Sequence, residues 1–171
     1  VSGNDTSFYS NNGVYKLGIN NPVGTGGEIP FITMSPTNRY TTFTAGNVGI
    51  GTTGPSEKLE VAGNIKIQAA LLSNQENTDV DTGTETVANV AIATYTAAFF
   101  DFVVKKTTNV RSGTVYACHD GTNVEFTETS TNDLGDTSDV TLSVDISGGN
   151  MRLLATVTSD DWSVKSLIRA I

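Results

Sequence analysis

The sequence is short of charge. Only 16% of its 171 residues are Asp, Glu, Lys or Arg, against roughly 25% in an average soluble domain. Thr, Ser, Asn and Gly fill the gap. Thr suits strands, Asn and Gly suit tight turns, and little is left for helix faces stitched by Glu/Lys pairs. Cysteine is nearly absent: Cys118 stands alone, which excludes an intrachain disulfide and a multi-cysteine metal knot. No run of about 18 apolar residues occurs, so membrane insertion is not expected. The ten basic residues are scattered in a chain of net charge −8. A nucleic-acid surface needs clustered Lys/Arg to displace counterions, so DNA and RNA are not expected partners. The chain opens Val-Ser-Gly, with no Met and no signal-like apolar segment, and reads as the ordered part of a longer polypeptide.

What is present divides in two. Residues 1–70 hold four acids and four bases, while residues 71–171 hold fourteen acids and six bases, so the whole net charge sits in the second part. Texture changes at the same place, from Gly/Asn/Pro-dense sequence with short apolar runs to longer alternating stretches. Between them Ser73 to Glu85, SNQENTDVDTGTE, is polar and rich in breakers. These features give a Gly/Asn-rich β segment over 1–70, a linker over 71–84 and a compact β domain over 85–171. Within the first part, Lys16–Pro22 (KLGINNP) and Asn47–Pro55 (NVGIGTTGP) echo each other, with Gly18 and Gly49 31 positions apart. Short strands split by glycine leave little to pack within one chain, and a trimer winding about a common axis would supply the missing neighbours.

The second part carries seven strand-like runs: TVANVAIAT, AFFDFVVKK, GTVYACH, NVEFTET, DVTLSVDI, NMRLLATVT and WSVKSLIRAI. They recur every 10–12 residues between turn signals, the spacing of an antiparallel β-sandwich, jelly-roll-like in outline. Asp120-Gly121 and Gly148-Gly149 are the sharpest hairpin signals. Val140, Leu142, Val144 and Ile146 alternate cleanly with polar residues. Val164, Leu167 and Ile168 do not, which calls for a bulge or for burial on both faces against a neighbouring chain. No helix is expected; EKLEVAG is too short and ends at Gly63. The expected fold class is therefore all-β.

The stretch Ala45 to Ile67, AGNVGIGTTGPSEKLEVAGNIKI, resembles a recurrent motif of bacteriophage tail fibres and tailspikes. The resemblance is carried by Val48-Gly49-Ile50-Gly51-Thr52-Thr53, Pro55, Lys58-Leu59, Val61 and Gly63-Asn64-Ile65. The tail from Asp120 to Ile171 also resembles C-terminal modules of phage structural proteins. These resemblances imply a trimeric, β-rich fibre-shaft segment followed by a C-terminal tip domain. They imply a virion location and a role in host attachment, with the chain itself and other virion proteins as partners. In many such fibres the motif precedes a self-cleaving chaperone with a Ser/Lys dyad. Thr158 to Ser166 (TSDDWSVKS) lacks the helical context of that domain, so autoproteolysis is not carried over.

Chemistry-bearing residues are few. Cys118, His119 and Asp120 are consecutive, but neighbours in a strand point to opposite faces and cannot form a nucleophile pair. The expectation is Cys118 in the core, His119 exposed and Asp120 opening a turn. Asp133, Asp136 and Asp139 flank Gly135 without the spacing of a calcium loop, so no metal site is assigned. Asp101, Glu125, Glu128 and Asp145 offer carboxylates, yet no spacing singles out a glycosidase pair. No catalytic residue, cofactor or enzymatic activity is expected. Trp162, Tyr116 and Tyr95, with Tyr40, are candidates for stacking on a host cell-surface glycan, the alternative being core and subunit contacts. The expected function is a structural part of a homotrimeric phage fibre. A capsid decoration or head fibre and a glycan-binding receptor module are the alternatives.

Overall fold

The computed structural model describes residues 6–11, 14–19, 29–35, 40–43 and 46–171, and for the strands before Phe43 it describes backbone alone. The chain forms two compact units, 1–62 and 63–171, and no helix occurs among the described residues. In the first unit β1 (Thr6–Asn11), β2 (Val14–Ile19), β3 (Ile29–Ser35) and β4 (Tyr40–Phe43) make a sequential antiparallel sheet. Two three-residue strands, β5 (Val48–Ile50) and β6 (Leu59–Val61), pair in parallel.

The second unit begins with β7 (Ile65–Ile67), β8 (Ala70–Val80) and β9 (Gly83–Ala91). Then come β10 (Ala97–Lys106), β11 (Asn109–His119), β12 (Val124–Ser130), β13 (Val140–Ser147), β14 (Asn150–Val157) and β15 (Trp162–Ala170). One sheet has the order β12-β11-β10-β15-β8-β7 and the other β13-β14-β9, antiparallel throughout. All seven strand-like runs of the sequence are strands. The order β15-β10-β11-β12 is a Greek key, three consecutive strands and a fourth returning beside the first. The return passes through the β13–β14 hairpin in the opposite sheet. The sandwich expected from the sequence thus forms, with six strands against three and one such key, where a jelly roll has eight strands and two.

Alternation builds the core. Phe100, Phe102 and Val104 of β10 and Trp162, Val164 and Ile168 of β15 point inward from the larger sheet. Leu142, Val144, Met151 and Leu153 meet them from the smaller one. Fully burying one such side chain is worth about 1.5–3 kcal/mol. Strand β9 buries two neighbours in succession, Val87 and Ala88, because a bulge opposite Leu153/Leu154 leaves Val87 outside the ladder. Gly148 and Gly149, with φ of 56° and 77°, form the two-residue β13–β14 turn, the left-handed geometry that side chains resist.

The supposed linker 71–84 is mostly strand. Residues Ala70–Val80 are β8, paired with β15 from Ala170↔Leu71 to Trp162↔Val80, and the units meet at Ala62/Gly63, ahead of the expected boundary near 70. The polarity of β8 is compatible with a strand because its inward-facing polar side chains, Ser73, Gln75 and Asn77, are neutral and hydrogen-bonded. Ser73 is buried and donates to Asn64 Oδ1 at 2.7 Å. The Gln75 amide binds both Asn89 backbone groups, donating to its carbonyl and accepting from its N–H, each at 2.9 Å. Asn77 donates to Glu85 at 2.7 Å. These amides stitch β8 to β9 across the edge of the sandwich, where no backbone ladder runs.

Strand β15 bears on a second expectation: its register shift against β8 lies between Trp162 and Val164, not at Leu167. Ser166 fills the inward position between Val164 and Ile168, so alternation is strict and Leu167 points out, 44% exposed.

Candidate functional site

The three aromatic residues singled out by the sequence part company. Trp162 is 1% and Tyr95 9% exposed. The Trp162 ring closes one end of the core, its Nε1 donating to Ser159 Oγ at 3.1 Å, with Lys106 Nζ 5.7 Å from the ring centroid. Neither Trp162 nor Tyr95 can stack on a sugar, and both are withdrawn as glycan contacts. Tyr116 is 43% exposed. The side chain of Tyr40 lies outside the described residues.

Tyr116 stands on the outer face of the six-stranded sheet. Opposite it on β10 is Phe99, edge-on with ring centroids 5.9 Å apart. Arg169 of β15 lays its guanidinium 4.9 Å from the Phe99 centroid and donates from Nε and Nη2 to the two oxygens of Asp101, at 3.0 and 3.2 Å. Burial pushes the Asp101 carboxyl up, but Arg169 and the Thr114 hydroxyl outweigh it and hold the group below the ordinary Asp value. Beside Tyr116, Cys118 and the β12 residues Glu125 and Thr127 wall an open cavity of about 350 Å³. Aromatic and polar side chains therefore share one concave surface on this face.

Cys118 and His119 do face opposite ways, but with the roles reversed. Cys118 is exposed, because it shares the outer face with Tyr116. His119 is half-buried, its Nδ1 accepting from Gly121 N–H at 2.9 Å and its Nε2 lying 2.7 Å from the Tyr95 carbonyl. With Nδ1 accepting, the proton sits on Nε2 and is donated to Tyr95 O. The imidazole is a strut between β11 and the β9–β10 loop. Asp120 opens the turn as expected. The Asn123 N–H, the Asn123 side-chain amide and the Thr122 N–H hold its carboxyl down to about 2.

The acidic triplet does not converge. Asp133 accepts from the hydroxyl and N–H of Thr137, Asp136 from those of Ser138, and Asp139 from Thr158 and Ser159 hydroxyls. Each is held below its ordinary value by those bonds, the hydroxyl first. A different trio, Asp79, Asp81 and Asp161, brings carboxylate oxygens within 4.8 Å of one another on the surface. Such acidic clusters are ordinary where net charge is strongly negative. The four carboxylates weighed as a glycosidase set are also dispersed. Glu128 turns inward to Arg111, Asp145 pairs with Arg152 on the smaller sheet, and Asp101 is spent on Arg169. From Asp101 to Glu125 the register crosses two strands and four residues, a Cα distance of roughly 17 Å, where glycosidase carboxyls stand about 5–9.5 Å apart.

Compared with known proteins, the chain matches no family model and no curated protein. The resemblance to phage fibres and phage structural proteins therefore rests on residues 45–67 and 120–171 themselves.

That motif is a closed local structure. Val48 N–H donates to Lys58 O and Ala62 N–H to Ile50 O, each at 2.9 Å, so β5 and β6 clasp the loop between them. The Asn47 side chain holds the Pro55 carbonyl at 2.9 Å. Ser56 gives its N–H and hydroxyl to Glu60 Oε2, at 2.7 and 2.9 Å, which holds Glu60 below its ordinary value. Gly51 is at φ 76°, and a Cβ there would crowd the Ala62 carbonyl. The sequence marks Phe99 as an apolar core or interface residue but does not place it and Arg169 beside Tyr116. Leu167, exposed on the same face, is signalled by an apolar residue at an outward position of its strand.

Proposed function

We propose that this chain is a structural segment of a virion fibre, working as a homotrimer in host attachment. The observation that carries the reading is the state of the motif's apolar residues. Strands β5 and β6 are only three residues long and, among the described residues, pair in parallel with each other alone, yet Ile50 is 56% and Leu59 60% exposed. A two-stranded ribbon with its apolar side chains in water is marginal at best. Two further copies around a shared axis would cover Ile50 and Leu59, and the fibre-like sequence of this stretch names that arrangement. The function is mechanical: three copies held together present three weak contacts at once, and effective concentration multiplies their affinity. A head fibre would need the same assembly, so the proposal commits to the trimer and leaves either mounting.

The test is the mass of the purified chain in solution, with and without mild heating in detergent. A trimer that falls to monomer on heating supports the reading. A stable monomer at micromolar concentration overturns it.

A further inference from the structure

The two outer faces of the sandwich differ in kind. On the three-stranded sheet the outward positions are Thr84, Thr86, Asn89, Thr141, Ser143 and Thr156 around a single half-buried Leu154, with Arg152 bonded to Asp145. That is the ordinary water-facing surface of an antiparallel sheet. The six-stranded sheet is different. Residues directly opposite on neighbouring antiparallel strands share a face, so its outer rows can be followed from strand to strand. One row runs Ile65, Leu72, Arg169, Phe99, Tyr116, Thr127 across all six strands. The adjacent row runs Ile67, Ala70, Ile171, Ala97, Cys118, Glu125, with Ile171 and Ala97 exchanging backbone bonds at 3.0 Å. Leu167 and Val103, both exposed, extend the band along β15 and β10.

Charge on this face balances where the rest of the unit does not. Residues 63–171 hold fourteen acids and seven bases, but the outer face carries Glu76, Asp101 and Glu125 against Lys105, Lys165 and Arg169. Two of those three couples are closed within the sheet: Asp101 with Arg169, and Glu76 with Lys165 at 2.8 Å. A cationic partner would be drawn to the acidic remainder of the molecule. Another acidic copy of this chain would meet no net charge on this face. Size also fits. Six strands at ~4.8 Å spacing and about ten residues at ~3.4 Å give a face of roughly 800–1,000 Å². A stable interface buries about 800 Å² per partner.

We propose that the outer face of the six-stranded sheet, centred on Phe99, Tyr116 and Leu167, is covered by a second copy of this chain. The proposal rests on the self-assembly in the fibre reading and adds where the second unit takes part. Depletion of net charge, an aromatic pair at the centre and a polar surround are the marks of an interface core. It also gives Leu167 a reason to be apolar on an outward position.

The experiment compares the full chain with Leu167→Thr and Tyr116→Thr, singly and together, and with Thr141→Lys on the opposite face as control. Thr keeps strand propensity, so the fold is not put at risk. Mass against concentration is read by sedimentation. Reaction of Cys118, which lies within the face, with a bulky maleimide is read in parallel. The double variant is expected to raise the dissociation constant at least tenfold and to speed Cys118 labelling to the rate of the denatured chain, while Thr141→Lys changes neither. A wild-type trimer whose mass and labelling resist the double variant overturns this face and leaves the fibre reading standing. A wild-type dimer that the double variant dissociates upholds the face and overturns the trimer. A wild-type monomer overturns both.

Discussion

Arg111 shows how much one side chain can hold. It rises from β11 into a nearly closed position, donating from Nη1 to Thr137 Oγ1 and from Nη2 to the Val140 carbonyl, each at 3.2 Å. Its Nε lies 3.3 Å from Glu128 Oε1 without hydrogen-bond geometry, so that contact is an ion pair only. Thr137, fully buried, passes its own hydroxyl proton to Asp133. Arg111→Ala removes the centre of this network and leaves Glu128, Thr137 and the Val140 carbonyl without their partner. Loss of roughly 2–4 kcal/mol of unfolding free energy is expected, read from urea midpoints at constant slope; a loss under 0.5 kcal/mol would show the network to be idle. Trp162 makes the parallel case in the apolar core. As a sugar platform its replacement would cost binding and spare stability. As a buried residue bonded to Ser159, Trp162→Ala is expected to cost about 3–5 kcal/mol, and a thermal midpoint unchanged by it would contradict that placement.

At the scale of elements, the seam between β8 and β9 is the least ordinary joint in the sandwich. The two strands belong to different sheets, and Gln75 does with one amide what a ladder would do with a peptide group. Gln75→Ala leaves the Asn89 N–H and C=O to solvent at the sheet edge. The expected result is a loss of about 1–2 kcal/mol together with faster amide exchange at Asn89, measured by NMR. Unchanged exchange there would mean that the edge is protected by something other than Gln75. The same strand marks the limit of what could be read in advance. Runs such as Val140–Ile146 declared themselves through apolar alternation, and Gly148-Gly149 through the backbone angles its turn demands. Strand β8 declared nothing, because Ser73, Gln75 and Asn77 bury amides and hydroxyls where a pattern reader looks for Val and Leu. The site was legible in part for a related reason. Tyr116 was recognisable as a surface aromatic, but only the register places Phe99 and Arg169 beside it. Cys118 and His119 were rightly put on opposite faces, while which face was inner depended on the phase of β11 set by Val115 and Ala117.

For the whole molecule, acidity is tied to folding by many small hydrogen bonds to carboxylates. Glu60, Asp101, Asp120, Asp133, Asp136, Asp139 and Asp160 are all held below their ordinary values. For Asp160 the causes are the hydroxyl and N–H of Thr82, which tie the β14–β15 loop to the β8–β9 turn. A carboxyl whose folded pKa is depressed binds fewer protons folded than unfolded between the two values, so stability rises with pH across that interval. For Asp120 the interval runs from 3.8 down to about 2. Above about pH 5 the contribution of these groups is essentially fully present, and it is lost progressively as pH falls through the unfolded and then the folded values. Hydrogen bonds from Ser and Thr hydroxyls and backbone N–H groups are short-range, so added salt should alter this acid limb little, unlike a limb set by long-range attraction. Urea midpoints measured at pH 6, 5 and 2.5, each at low and high salt, are expected to be similar at the first two and clearly lower at the third, with little effect of salt. A midpoint that holds from pH 6 to 2.5 would show that the loop carboxylates bond no better folded than unfolded. A fall already complete by pH 5 would place the acid-sensitive group elsewhere in the chain.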